Sequence, residues 1–362
     1  MISFARGVPS PDILPVSELA DAAKRVIEAE GAKVLNYGPP FGYLPLREHL
    51  AEEHGVDPSR VVLTPGALQA FNFVSQALLH DRSRTVVEGP TYDRALVVLR
   101  GAGASIEAVQ LTDDGLDLDR LETLLASDDA GAVRLLYLIP TFQNPSGRSL
   151  SVDQRHAVVE LAKAQGVTVF EDDPYRLIRY EGEALPSLHE LAGGEDVIFS
   201  SSYSKTAAAG LRVGYIVIPE SLVVPITAIA SSTYISPPLL PQAAIHDLID
   251  RGLFDPTLER TVAHLRARRD ATLGALTDEF PDGCSWSRPE GGYFLWVDLP
   301  EGVEAAELLV DAEAEGVTFI KGADFFDDGS GANSLRLAFS FPSVEEIQQG
   351  VAVIGRLLRD RV

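Results

Sequence analysis

Residues 197–215 read VIFSSSYSKTAAAGLRVGY. The first three are large and apolar, as expected of a strand buried on both faces. The run then turns to hydroxyls, and one lysine, Lys205, follows among serines and alanines, seven residues before Arg212. An amine in that position needs a chemical reason. Only five lysines occur in the 362 residues. Lys24, Lys33 and Lys163 lie in or beside helical patterns among Glu, Asp and Gln and read as solvated face residues. Lys205 and Lys321 remain.

The same pattern repeats outward from this stretch. RVVLT (60–64), RTVVEG (84–89), SIEAVQL (105–111), RLLYLIP (134–140), VTVFEDD (167–173) and GYIVIP (214–219) are further candidate strands. Helix patterns separate several of them: ALQAFNFVSQALL (67–79), YDRALVVLRGAG (92–103) and SVDQRHAVVELAKAQG (151–166). The last opens with Ser151 and Gln154 at capping-box spacing and ends on Gly166. Continuously apolar strands alternating with helices predict an α/β fold, with a mostly parallel seven-stranded sheet sandwiched by helices. Past residue 254 the order changes to a long helix pattern (254–280), GGYFLWVDLP (291–300), a helix (303–315), GVTFIKG (316–322), SLRLAFS (334–340) and a closing helix (343–359). This predicts a smaller α+β domain. The expected division is 36–240 for the large domain, and 1–35 with 241–362 for the small one.

Bulk composition removes several function classes. With 46% hydrophobic and 23% charged residues the chain has the balance of a soluble globular protein. No window approaches 18 uncharged apolar residues, so no membrane span is expected. The start, MISFARGVPSPD, has no basic and apolar leader pattern. A formal charge of −23 spread along the chain repels nucleic acid and anionic membrane. The single cysteine, Cys284, excludes an internal disulfide and fits a cytoplasmic protein. Scattered histidines without HxxxH or HExxH spacing argue against a zinc site, and no GxSxG elbow marks a serine hydrolase.

In a parallel sheet the ligand site forms at the carboxyl ends of the strands. Those junctions here read TPGALQA, EGPTY, PTFQNPSG, EDDPYRL and SSSYSK. Together they supply a glycine turn opening a helix, an aromatic ring, an amide, an aspartate, a tyrosine, hydroxyls and a lysine. Pyridoxal 5′-phosphate needs such a set: an imine-forming lysine, an acid at its ring nitrogen, donors at its ring oxygen, a stacking face and a phosphate cradle. Helix-start N–H groups and Arg212 suit the phosphate.

YGPPFGYLPLRE, TPGALQA, EGPTY, PTFQNPSG, EDDPYRLIRY, SSSYSKTAAAGLRVGY and SLRLAFS, in that order, resemble the motifs of class I/II, fold type I aminotransferases. The resemblance spans nearly the whole chain and is nearest to the 2-aminoadipate aminotransferase branch. It implies that Lys205 bonds the cofactor's aldehyde carbon and acts as general base, that Asp172 holds the pyridine nitrogen, and that Tyr92 stacks on the ring. Asn144 and Tyr175 would hold the ring oxygen. Ser202, Ser204 and Arg212, with the amides of Gly66, Ala67 and Leu68, would meet the phosphate. Tyr37 would reach the phosphate of a neighbouring subunit, implying a homodimer with shared sites. Arg336 would bind the substrate α-carboxylate beside Asn144. The implied activity moves an amino group from an L-amino acid to a 2-oxo acid by a ping-pong route. A free amine near pKa 10.4 must then be lowered by about two or more units through burial and nearby cations.

Departures and rivals accompany this reading. Asp172 and Asp173 before Pro174, and Asn144 before Pro145, taken singly are ordinary turn pairs; their coincidence at the ends of one sheet favours a site. Relatives commonly have a small residue where Arg6 stands, so Arg6 is either a cation at the substrate side chain or a surface residue. Pro65, Ala67 and Leu68 replace hydroxyl or amide side chains, leaving only backbone donors. Lys321, in VTFIKGADFF, lacks the hydroxyl run before Lys205 and the arginine after it. A lyase, racemase, decarboxylase or oxidase on the same scaffold is the rival reaction. A catalytically silent regulator of this fold is the rival class, and it would carry a basic DNA-binding segment upstream of the enzyme-like pattern that this sequence enters at Met1.

Overall fold

A computed structural model gives the fold and describes residues 1–127 and 132–362. Its larger sheet has eight strands among the described residues, in the order Val61–Thr64, Gly214–Val217, Val197–Ser202, Thr168–Asp172, Val133–Leu138, Arg84–Gly89, Ser105–Thr112 and Gly115–Leu116. The five from Val197–Ser202 to Ser105–Thr112 run parallel, whereas Gly214–Val217 is antiparallel to both its neighbours. The expected seven strands thus gain a two-residue eighth. Gly115, at φ +100, lets the chain fold back so that Leu111 pairs with Leu116.

Residues alternate across this sheet with period two. Leu135 and Tyr137 face one side with Phe170 and Ile198, against the helices Ala67–Leu78, Asp93–Gly101 and Glu220–Tyr234. Leu136 and Leu138 face the other with Val86, Val169 and Val197, against Leu118–Ala126 and Val152–Gln165. Full burial of each such aliphatic side chain is worth ~1.5–3 kcal/mol, so burial on both faces favours the unbroken apolar runs seen in the sequence. Helix Val152–Gln165 makes only half of its expected capping box. Ser151 Oγ accepts from Gln154 N at 3.3 Å, but the Gln154 side chain turns away to accept from Leu116 N and donate to Asp114 O. It is engaged by the short hairpin, an element absent from the sequence-based expectation.

A four-stranded antiparallel sheet, Ser285–Trp286, Phe294–Asp298, Ser334–Ala338 and Ile320–Lys321, forms the second layer system. Helices Phe254–Glu279 and Val344–Arg359 pack on each other so closely at Gly355 that an added Cβ would lie 2.4 Å from Glu279 O. Residues 1–35 and 241–250, expected in the small domain, divide between the sheets. Ile2–Ser3 pairs with Val317–Thr318, while Val16–Val34 and Leu239–Asp250 bury Ala22, Val26, Ala243 and Ile245 with Val61, Leu63 and Val217 of the larger sheet. An apolar helix face takes the nearest apolar surface, and here that surface belongs to the larger sheet. Among the described residues no helix is long and apolar enough to cross a membrane.

Candidate active site

A cavity of about 660 Å³ opens at the carboxyl ends of the parallel strands. Tyr92, Asn144, Asp172, Tyr175, Ser202, Ser204, Lys205, Arg212 and Arg336 all line it, with Ala67 and Leu68. A smaller cavity, about 250 Å³, lies behind Pro174 and Ser202 and reaches neither Lys205 nor Asp172.

Asp172 ends its strand with its side chain buried. Its Oδ2 accepts from the Tyr137 hydroxyl at 2.8 Å, and its Oδ1 has no hydrogen-bond partner. Burial pushes the carboxyl up to about 6, against the lowering effect of the Tyr137 hydroxyl. Lys205 sits in the turn after Val197–Ser202, held by Tyr293, whose hydroxyl donates to Lys205 O at 2.7 Å. Its Nζ donates to Gly7 O at 2.5 Å. Burial, then the charge of Arg336, brings the amine down to about 8; Asp172 opposes this and Arg212 adds to it. The cation foremost in that effect is therefore Arg336, not Arg212.

Arg336 comes from the middle of Ser334–Ala338 and lies between two rings, 4.3 Å from the Phe294 centroid and 5.0 Å from that of Phe325. Nη1 donates to Asn144 Oδ1 at 2.9 Å and Nη2 to Ala5 O at 2.7 Å, while Nε is buried without a partner. Burial lowers even this guanidinium to about 10. Asn144, expected at a ring oxygen, thus also steers the arginine. Tyr92 and Tyr175 complete the walls; burial raises Tyr92 to about 12 and Tyr175 well above the usual phenol.

The Arg212 end of the cavity is built largely from backbone. Gly66, at φ +98, opens the helix Ala67–Leu78, whose first N–H groups have no helical acceptor. Arg212 closes over this turn: Nη2 donates to Pro65 O at 3.0 Å and Nη1 to Ser204 Oγ at 3.4 Å. A Cβ on Gly66 would fall 2.2 Å from Arg212 Nη2, and one on Gly214 would fall 2.5 Å from the Gly66 carbonyl carbon. These glycines let the strand, turn and guanidinium converge.

Two expected positions, and the rival lysine, stand apart. Tyr37 is 77% exposed and borders a separate groove with Ser236–Leu240. Arg6 is exposed, with its guanidinium 5.3 Å from the Phe341 ring, although Ala5, Gly7 and Val8 on either side line the cavity. Lys321 pairs with Asp324 at the rim. Conversely, Tyr137, Tyr293 and the carbonyls of Ala5 and Gly7 touch the site without having been singled out. Tyr137 follows the core periodicity of its strand, and a backbone carbonyl leaves no mark in a sequence.

Residues 1–354 match the family model described as aminotransferase class I and II. The 2-aminoadipate transaminase of Thermus thermophilus is 38% identical over 99% of this chain and 90% of its own length. Aromatic-amino-acid aminotransferase 1 of Thermococcus litoralis is 30% identical over 100% and 89%. The solved structure of LysN, an α-aminoadipate aminotransferase from Thermus thermophilus complexed with N-(5′-phosphopyridoxyl)-L-leucine, superposes with a TM-score of 0.94 at 36% identity, covering 99% of this chain and 92% of that one.

Proposed function

The chain belongs to the class I and II aminotransferases and is a pyridoxal-phosphate-dependent aminotransferase, and from that premise we propose how its own residues divide the work. The observation that carries the proposal is the pairing, in one cavity, of an amine lowered to about 8 with a buried carboxylate whose Oδ1 has no partner. The residues present fit the cofactor: the free oxygen of Asp172 suits a protonated ring nitrogen, and the Gly66 turn with Ser202, Ser204 and Arg212 suits a phosphate. When bound, pyridoxal 5′-phosphate supplies an electron sink for the pair left at the substrate α-carbon.

Lys205 would hold the cofactor and, as a free amine, would take the substrate α-proton on Nζ. A pKa near 8 leaves a useful fraction of free amine at neutral pH, which an ordinary lysine lacks. Arg336 holds the α-carboxylate, with Asn144 and the two phenyl rings fixing the guanidinium plane. Tyr92 and Tyr175 form the walls against the ring. Substrates are L-amino acids and 2-oxo acids, with glutamate and 2-oxoglutarate for one half-reaction; the named relatives suggest 2-aminoadipate and aromatic amino acids as first donors to try. A cytoplasmic homodimer, in which Tyr37 enters the partner's phosphate site, accounts for the exposure of that tyrosine in the single chain.

Borohydride treatment of the cofactor-loaded protein, followed by peptide mass spectrometry, should place the adduct on Lys205. Lys205→Ala should lose adduct and turnover, and Lys321→Ala should keep the adduct. An adduct that survives Lys205→Ala overturns the assignment. Incubation with single amino acids, without a second oxo acid, should release stoichiometric 2-oxo acid. No release from any donor would sink transamination in favour of another reaction on this scaffold.

A further inference from the structure

Tyr137 carries a hydroxyl on an otherwise apolar strand face. It is 1% exposed, its ring lies 4.7 Å from Phe71 and is stacked 5.8 Å from Phe170, and every requirement of that packing is met by a phenyl ring. A buried hydroxyl costs stability unless it is bonded, and this one donates at 2.8 Å to Asp172 Oδ2. The other oxygen of the same carboxylate has no partner, while Asp172 lines the cavity. The hydroxyl therefore consumes one oxygen from below and leaves the other for whatever occupies the cavity.

We propose that Tyr137 is a positioning residue: its hydroxyl fixes the Asp172 carboxylate with Oδ1 turned to the cavity and keeps it ionised against the cofactor's ring nitrogen. This inference rests on the cofactor reading given above. Three features beyond the bond itself support it. The bond has one polarity, because burial holds the Tyr137 phenol well above its usual value and so leaves it a donor. The donor favours the charged form of Asp172, opposing both burial and the neighbouring Asp173 carboxyl. The ring that carries it packs in a triad with Phe71 and Phe170, whose own centroids are 4.8 Å apart, so the hydroxyl has little freedom to follow a wandering carboxylate. Tyr137 and Asp172 come from adjacent parallel strands, where Tyr137 pairs with Phe170, so the sheet register itself sets their reach.

The test is a double-mutant cycle read by cofactor affinity. Tyr137→Phe removes the hydroxyl and keeps the ring packing, and Asp172→Asn removes the charge on which it acts. Dissociation constants for pyridoxal 5′-phosphate are measured on stripped protein by fluorescence titration, with thermal midpoints as a folding control. With Asp172 in place, losing a hydrogen bond to a buried charge should weaken binding about tenfold. In the Asp172→Asn background the same change should cost less than about twofold. In steady state, Tyr137→Phe should lower kcat and leave the amino-acid KM nearly unchanged, because Arg336 and Asn144 are untouched. Equal losses in both backgrounds, or no loss in the first, overturn the inference while leaving the proposed function standing. A wild-type chain that does not bind the cofactor overturns the proposed function and this inference with it.

Discussion

Lys205 should destabilise the fold that holds it. Its amine moves from the usual 10.5 down to about 8 on folding, chiefly through burial and the charge of Arg336. Protons are therefore bound more tightly in the unfolded chain. The contribution is unfavourable and fully present below about pH 8, shrinks as pH rises from 8 to 10.5, and vanishes above that. The displacement corresponds to ~3 kcal/mol, and part of the side chain still meets the cavity's solvent, so ~1–3 kcal/mol is the working range. Lys205→Met removes the charge and keeps most of the volume; it gives up one hydrogen bond to Gly7 O, worth about 1 kcal/mol. Urea unfolding of cofactor-stripped proteins should thus find Lys205→Met more stable than wild type by up to ~2 kcal/mol at about pH 7. The advantage should fall to about zero by about pH 9.5. A stability difference that does not move toward wild type's favour between the two pH values would refute the account of the lysine as an amine lowered by burial.

Two further outcomes follow from the walls of the same cavity. Arg336→Lys leaves a cation but loses the planar fork that Asn144, Phe294 and Phe325 hold; KM for amino and oxo acids should rise ~10–100-fold in steady-state assays, with the absorbance of the bound cofactor unchanged. Gly66→Ala places a Cβ on Arg212 Nη2 and strains a backbone at φ +98. It should weaken cofactor binding at least about tenfold and lower stability by ~1–3 kcal/mol, read by fluorescence titration and by thermal unfolding. Unchanged affinity in Gly66→Ala would remove the anion cradle from the reading.

Much of this molecule was legible because its signals are local and repeated. Each central strand is a short apolar run, each runs into polar residues at its carboxyl end, and the alternation rule then brings those ends to one edge. What stayed hidden depends on contacts between distant segments. Asn144 meets Arg336 across 192 positions, and the Gln154 side chain is diverted by a two-residue strand too short to have a pattern. The register that brings Tyr137 under Asp172 is likewise invisible in a run that reads simply as core.

The run Glu171-Asp172-Asp173 makes the limit concrete, since three consecutive acids before a proline look alike in sequence. Alternation about the strand sends Glu171 to the face opposite Asp172, where its oxygens accept from Leu188 N and His189 N at the start of a short helix. Asp173 takes the turn role, accepting from Arg176 N at 3.0 Å. The reading of Asp172 and Asp173 as a strand-ending turn thus fits Asp173 and not Asp172. Burial raises all three carboxyls, Glu171 to about 8 and the other two to about 6, so perturbed acidity does not single out the functional one. The discriminating fact is hydrogen-bond accounting. Both oxygens of Glu171 and one of Asp173 are spent on backbone amides, whereas Asp172 keeps a buried oxygen unspent beside Lys205's cavity. A carboxylate that the fold buries and leaves half-satisfied is costly, and under the proposed function a cationic ring nitrogen in that cavity would remove the cost.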